Sequence, residues 1–166
     1  MAASLARRET MSMLSQVREW LRGDRRGPRH VLADLAAGYL DEAEAAANLR
    51  AHAEQAPYPQ AADALRRLAA TEDDHTRRFG EQIALLGGSP PATAPEIYRG
   101  SNHWDRMAAD FRHADQKRRR YLEQAIHWDI EYPEVAEFLG RLAAEETANR
   151  KALEELVVRA DTLALD

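Results

Sequence analysis

The chain contains a Glu-x-x-His pair, Glu72 and His75, in the middle of an otherwise apolar helical stripe. The other members of that stripe are Leu65, Leu68, Phe79 and Ile83. Because residues three, four and seven apart share one face of a helix, both polar side chains would point into a helix-packed core. Burying ionisable groups is costly unless they pair or bind a metal. Carboxylates suit hard cations, and imidazole adds affinity for iron, manganese or zinc. The pair therefore indicates a buried metal site or a buried ion-pair network.

Further ionisable residues occupy comparable positions on other predicted helices. Glu146 lies on the apolar stripe of the last helix, where Asn149 follows it at the spacing at which His75 follows Glu72. Glu42 has one leucine seven residues before it and another seven residues after it. Asp115 and Arg118 lie together on an apolar stripe of the predicted helix that comes directly before the last one. Two alternatives follow: metal ligation, or a hydrogen-bonded network in which Arg118 neutralises the carboxylates and pairs with Asp115.

Proline and glycine divide the chain into helices rich in Ala, Leu, Arg and Glu, which are strong helix formers. The helices are predicted at about residues 4–22, 30–55, 60–86, 102–129 and 134–160. No segment alternates with period two, so no strand is predicted. The turns at 56–60 and 130–133 are short and predict antiparallel hairpins. Segment 87–101 could span about 50 Å when extended, enough to run along a helix of about 40 Å.

These lengths predict an all-α four-helix bundle with a long crossover between its second and third helices, plus an N-terminal accessory helix. Residues 58–72 and 132–146 support two hairpins of similar design, because nine of their fifteen aligned positions are identical and both begin with Tyr-Pro. We expect a basic amphipathic helix and linker over residues 1–29, the bundle over 30–160 and a tail over 161–166.

Composition and charge exclude several classes of protein. The 166 residues include no cysteine, so thiolate zinc sites, iron–sulfur clusters and disulfides are excluded. The net charge of −5 divides into +4 over residues 1–30 and −9 over the rest. Such an acidic body argues against nucleic-acid binding, whereas it is compatible with attracting cations. Neither a transmembrane segment nor a cleaved signal peptide is predicted, so we expect a cytoplasmic protein.

Over about residues 30–160 the sequence resembles the ferritin-like superfamily, in particular bacterioferritins and rubrerythrins. The residues that carry the resemblance are Glu42, Glu72-Asp-Asp-His75, Leu85-Leu-Gly-Gly-Ser-Pro90 and Glu145-Glu146, with His52 ten residues after Glu42. The resemblance implies an iron or manganese site, dinuclear or mononuclear, with metal ligands Glu42, Glu72, His75, Glu146 and Asp115. Haem is not expected, because Asp73 stands where bacterioferritins have the haem-binding methionine.

Three functions fit this sequence. The first is a ferritin-like metalloprotein that oxidises iron or reduces oxygen or peroxide. The second is a metal-free bundle that acts as an interaction or scaffolding module, with the basic N-terminal helix as its docking element. The third is an oxygenase of a small organic substrate, which requires an apolar cavity beside the metal. We also expect a homodimer.

Overall fold

The computed structural model describes residues 27–161, which form four long helices. The helices are α1 (Pro28–Glu54), α2 (Pro59–Leu85), α3 (His103–Trp128) and α4 (Pro133–Asp161). Each end lies within two residues of the predicted boundary, so the four helices of the bundle are confirmed. The predicted N-terminal helix and most of the predicted C-terminal tail lie outside the described residues. None of the helices described is long and apolar enough to cross a membrane.

Local sequence explains where the helices begin. Pro28, Pro59 and Pro133 are the first residues of α1, α2 and α4. Proline suits this position because its fixed φ is already helical and its missing N–H would have no intrahelical acceptor there. The Asn102 side chain caps α3 by accepting a hydrogen bond of 2.8 Å from the backbone N–H of Asp105.

The long crossover between α2 and α3 runs along the bundle, as predicted. Helices α1 and α2 form one hairpin, α3 and α4 form the other, and α1 also packs against α3. At one end of the bundle, Trp128 Nε1 donates to Asp34 at 3.0 Å, which joins the end of α3 to the start of α1. Toward the other end, Asn48 Oδ1 accepts from the Tyr98 backbone N–H at 2.7 Å, and His52 Nε2 lies 2.6 Å from the Tyr98 carbonyl oxygen. These contacts fasten the crossover to α1.

Two apolar clusters fill the bundle, one on each side of its middle. Members of the first include Leu35, Phe79, Trp128 and Phe138, and members of the second include Leu49, Leu65, Met107 and Leu153. In the first cluster α1 and α2 approach closely at Gly38, where a Cβ atom would lie only 2.4 Å from Phe79 Cζ. Glu42 is seven residues from both Leu35 and Leu49, so it lies between the clusters. Polar residues at this level are therefore surrounded by apolar layers.

Candidate metal centre

Four of the five predicted ligands come together between the apolar clusters. Helix α1 supplies Glu42, α2 supplies Glu72 and His75, and α4 supplies Glu146. All four are buried, with at most 1% of their surface exposed. Each offers one ligand atom, and these atoms lie within 4.8 Å of one another. The helical stripes position them, because each residue takes the place of a core side chain on the inward face of its helix.

Helix α3 contributes to this group a lysine that the sequence pattern did not predict. Lys117 Nζ donates to Glu42 Oε2 at 2.6 Å, to Glu72 Oε2 at 2.6 Å and to Glu146 Oε1 at 3.1 Å. Its side chain is 1% exposed, which is unusual for a lysine. We call Glu42, Glu72, His75, Lys117 and Glu146 the central cluster.

The predictions of Asp115 as a metal ligand and of Arg118 as the cation that neutralises the core carboxylates are wrong, because both side chains lie at the bundle surface. The predicted pairing of Arg118 with Asp115 is present, at 3.5 Å. The Asp115 side chain is 20% exposed and that of Arg118 is 27% exposed. Asp115 pairs with Arg119 at 2.8 Å and with Arg150 at 3.2 Å, so its carboxylate is held among arginines. The inward positions of α3 are instead those of Lys117 and of Tyr121, four residues later. The sequence signal that could have identified Lys117 is its spacing of three residues from Ala114 and four from Tyr121, both of which are buried in the structure.

His75 is held in an orientation that suits a metal ligand. Its Nε2 lies 3.1 Å from Glu145 Oε2, and Arg78 Nη1 donates to the same oxygen at 2.7 Å. Its Nδ1 faces Glu146 Oε1 at 3.2 Å, Glu72 Oε2 at 3.5 Å and Glu42 Oε2 at 3.6 Å. Within the described residues Nδ1 makes no well-directed hydrogen bond. An imidazole whose outer N–H donates to a carboxylate while its inner nitrogen faces other ligands is the usual arrangement at metal sites.

The outer oxygens of two glutamates have hydrogen-bond donors of their own. The Tyr121 hydroxyl donates to Glu42 Oε1, and Asn149 Nδ2 donates to Glu72 Oε1 at 3.2 Å. Glu146 Oε2 is buried and has no such donor among residues 27–161. A buried carboxylate oxygen without a partner is costly, and a cation at this level would reduce that cost.

Burial and charge together set the protonation of the central cluster. Burial alone would lower the pKa of His75, but the surrounding carboxylates of Glu146, Glu42 and Glu72 raise it to about 12. The pKa of Lys117 is likewise raised, because its three carboxylate neighbours outweigh its burial. Burial raises the pKa of Glu42, and Lys117 opposes that rise only in part. In the absence of a metal the carboxylates are therefore balanced by Lys117, by a protonated His75 and by a tendency of Glu42 to hold a proton.

These residues match one half of a dinuclear carboxylate site and not the other. Such sites in helical bundles take a glutamate from each of two helices and a Glu-x-x-His pair from each of the other two. Glu42 and the Glu72–His75 pair supply the half formed by α1 and α2. In the other half Lys117 lies where α3 would place its glutamate, and Asn149 lies where α4 would place its histidine. The chain therefore does not fit a pair of metal ions, whereas the four ligands around His75 fit one.

Solved structures of ferritin-like proteins share this architecture. No family model matches the sequence, and neither does any curated protein. Bacterioferritin BfrA from Mycobacterium tuberculosis matches with a TM-score of 0.74 at 20% identity, over 84% of this chain and 91% of that one. A dodecameric thioferritin related to bacterioferritin, from Bacteroides fragilis, matches with 0.74 at 14% identity, over 90% and 96%. Ferritin-like diiron-carboxylate proteins from Bacillus anthracis match with 0.72 at 17% identity, over 80% and 99%. The fold is that of the ferritin-like four-helix bundles.

Proposed function

We propose that this chain binds a single divalent metal ion, iron or manganese, through Glu42, Glu72, His75 and Glu146. The observation that carries the proposal is the orientation of His75, whose Nδ1 faces three carboxylate oxygens within 3.6 Å. Three oxygens and one nitrogen form a donor set that suits iron or manganese. The similarity to diiron-carboxylate proteins from Bacillus anthracis favours iron.

Lys117 takes part in this proposal as a permanent cation. With His75 neutral, a divalent ion and the Lys117 ammonium together balance the three carboxylates, so the buried group has no net charge. Without the ion, protons on His75 and Glu42 restore most of that balance, because the pKa of each is raised. Metal binding is therefore an exchange of one ion for protons, and affinity should increase with pH.

A bound iron would supply one-electron exchange with oxygen or peroxide, which is the chemistry that we propose for this centre. The chain's own residues would hold the ion in a water-poor layer between the two apolar clusters. Glu145 fixes the tautomer of His75 by accepting from its Nε2–H. The Tyr121 hydroxyl orients Glu42 by donating to its outer oxygen. These contacts prearrange the ligands before the ion arrives.

A metal-free bundle that serves as an interaction or scaffolding module is the second candidate. The observation in its favour is that Lys117 already makes three short contacts with the carboxylates. An oxygenase of an organic substrate has less support. A cavity of about 580 Å³ lies near Tyr58 and Leu156, but none of its lining residues belongs to the central cluster. Whether the chain forms a homodimer stays a prediction.

Elemental analysis combined with metal titration tests the proposal. Protein from cultures supplemented with iron or manganese should contain one ion per chain, and metal-depleted protein should take up one Fe²⁺ or Mn²⁺ per chain. The variant His75→Ala should lose most of this binding. His30→Ala is the matched control, because His30 is exposed at the start of α1. If the wild-type chain contains no metal and takes up none, the metal-binding proposal is wrong.

A further inference from the structure

A narrow crevice lined by residues of all four helices, most of them on α3, adjoins the central cluster. Its inner end is formed by Glu72 and Lys117, which are buried, and its outer part includes Asp110 and His113, which are partly exposed. Its volume is about 10 Å³, which is room for about one water molecule. A water or a largely dehydrated ion fits this space, whereas an organic substrate does not.

The polar residues of the crevice follow one face of α3. Asp110, His113 and Lys117 are spaced three and four residues apart, so their side chains are stacked along the helix. His52 orients the first of them, because its Nδ1 lies 2.7 Å from Asp110 Oδ2 while its Nε2 contacts the carbonyl oxygen of Tyr98. The crossover segment and α1 thus hold the Asp110 carboxylate in place.

The chemistry of the crevice suits a divalent cation in transit. Burial lowers the pKa of His113, and the nearby charge of Lys117 lowers it further. The imidazole is therefore neutral, and one of its nitrogens can bind a metal ion. Asp110 adds a carboxylate whose side chain is 9% exposed. An imidazole and a carboxylate are ligands that iron and manganese accept. The carboxylates of Asp110 and Glu72 attract cations into the crevice, and the Lys117 ammonium at its inner end opposes this attraction in part.

We propose that this crevice is the path by which a divalent metal ion reaches the central cluster, with Asp110 and His113 as transit ligands. The inference rests on the proposed metal-binding function, because it concerns how the same site is filled. If the crevice is the path, Asp110 and His113 affect the rate at which the metal ion reaches the central cluster and do not affect the fraction of sites filled at equilibrium. A purely structural role for these residues would change stability or affinity instead.

Stopped-flow binding of Co²⁺ to metal-depleted protein tests the path. The variant Asp110→Asn keeps the shape of the side chain and removes its charge, so loading should slow by about tenfold while the equilibrium affinity is unchanged. The loading rate should also depend less on ionic strength than in the wild-type chain. Asp115→Asn is the matched control, because it removes one carboxylate from the same helix at a site that pairs with Arg119 and Arg150.

A second variant tests the path by obstruction. His113→Leu replaces the donor with an apolar side chain, and it should also slow loading, whereas His30→Leu at an exposed site should not. Wild-type loading rates in both Asp110→Asn and His113→Leu would overturn the inference, and so would a loss of equilibrium affinity in both. If the wild-type chain binds no Co²⁺, Fe²⁺ or Mn²⁺ in an equilibrium titration, the proposed metal-binding function itself is wrong. If the wild-type chain binds metal but both variants load it at the wild-type rate, only the proposed path is wrong.

Discussion

Replacement of Lys117 by methionine removes the buried cation of the central cluster and tests whether a metal can take over its role. Methionine has a similar length and no charge, so three carboxylates lose contacts of 2.6, 2.6 and 3.1 Å from one ammonium. Removing one member of a buried ion pair costs about 3–5 kcal/mol, because the remaining charge is left without compensation. We therefore expect Lys117→Met to lower the free energy of unfolding by about that amount in metal-free buffer.

Urea denaturation followed by circular dichroism measures this loss with and without Mn²⁺. A metal at a hundred times its dissociation constant stabilises the folded state by about 2.7 kcal/mol, so Mn²⁺ should restore much of the stability of Lys117→Met. Arg118→Met is the control, because the Arg118 side chain is 27% exposed and a surface ion pair contributes at most about 1 kcal/mol. A loss in Lys117→Met that neither Mn²⁺ nor Fe²⁺ reduces would refute the metal proposal. No loss in metal-free buffer would refute the ion-pair reasoning.

Three further predictions concern the same cluster. Because the pKa of His75 rises from an ordinary 6.5 to about 12, the folded state retains a proton that the unfolded state loses. Urea denaturation of metal-free protein should show that the stability advantage of the wild-type chain over His75→Gln is fully present below pH 6.5 and falls by about 1.4 kcal/mol per pH unit between pH 7 and 9. Glu145→Gln weakens the hydrogen bond that orients His75, and isothermal titration should show metal affinity reduced by about 10- to 100-fold, with Glu137→Gln as an exposed control. The double variant Lys117→Glu with Asn149→His restores the missing half of a dinuclear site, and elemental analysis should show two ions per chain in place of one; an unchanged stoichiometry would contradict the assignment of these two positions.

The ligand positions on α1, α2 and α4 could be predicted because buried apolar residues stand four and seven residues from the ligands on these helices. Glu42, for example, has a leucine seven residues away on either side, and both leucines are buried. Helix α3 gives no such guidance, because it also carries apolar side chains toward solvent. Leu122 is 42% exposed and Ile126 is 80% exposed, so a stripe drawn through Leu122 selects Asp115 and Arg118 instead of Lys117. Sequence rules also place lysine at the surface unless its partners are known, and these partners lie on three other helices.

Lys117 and Asn149 are the two residues that differ from a dinuclear ligand set, and both donate hydrogen bonds to Glu72. In each case a hydrogen-bond donor stands in place of a metal ligand. Lys117 donates from the position of a glutamate, and Asn149 donates to Glu72 from the position of a histidine. A carboxylate that loses a metal ion must receive N–H groups or protons in its place, since burial without either is costly. The donors lie on α3 and α4, whereas the α1–α2 half keeps Glu42, Glu72 and His75, whose Nδ1 makes no well-directed hydrogen bond within residues 27–161. Glu146 Oε2 on α4 is a buried carboxylate oxygen that no donor in residues 27–161 reaches, so a cation bound beside His75 would reduce the cost of burying it.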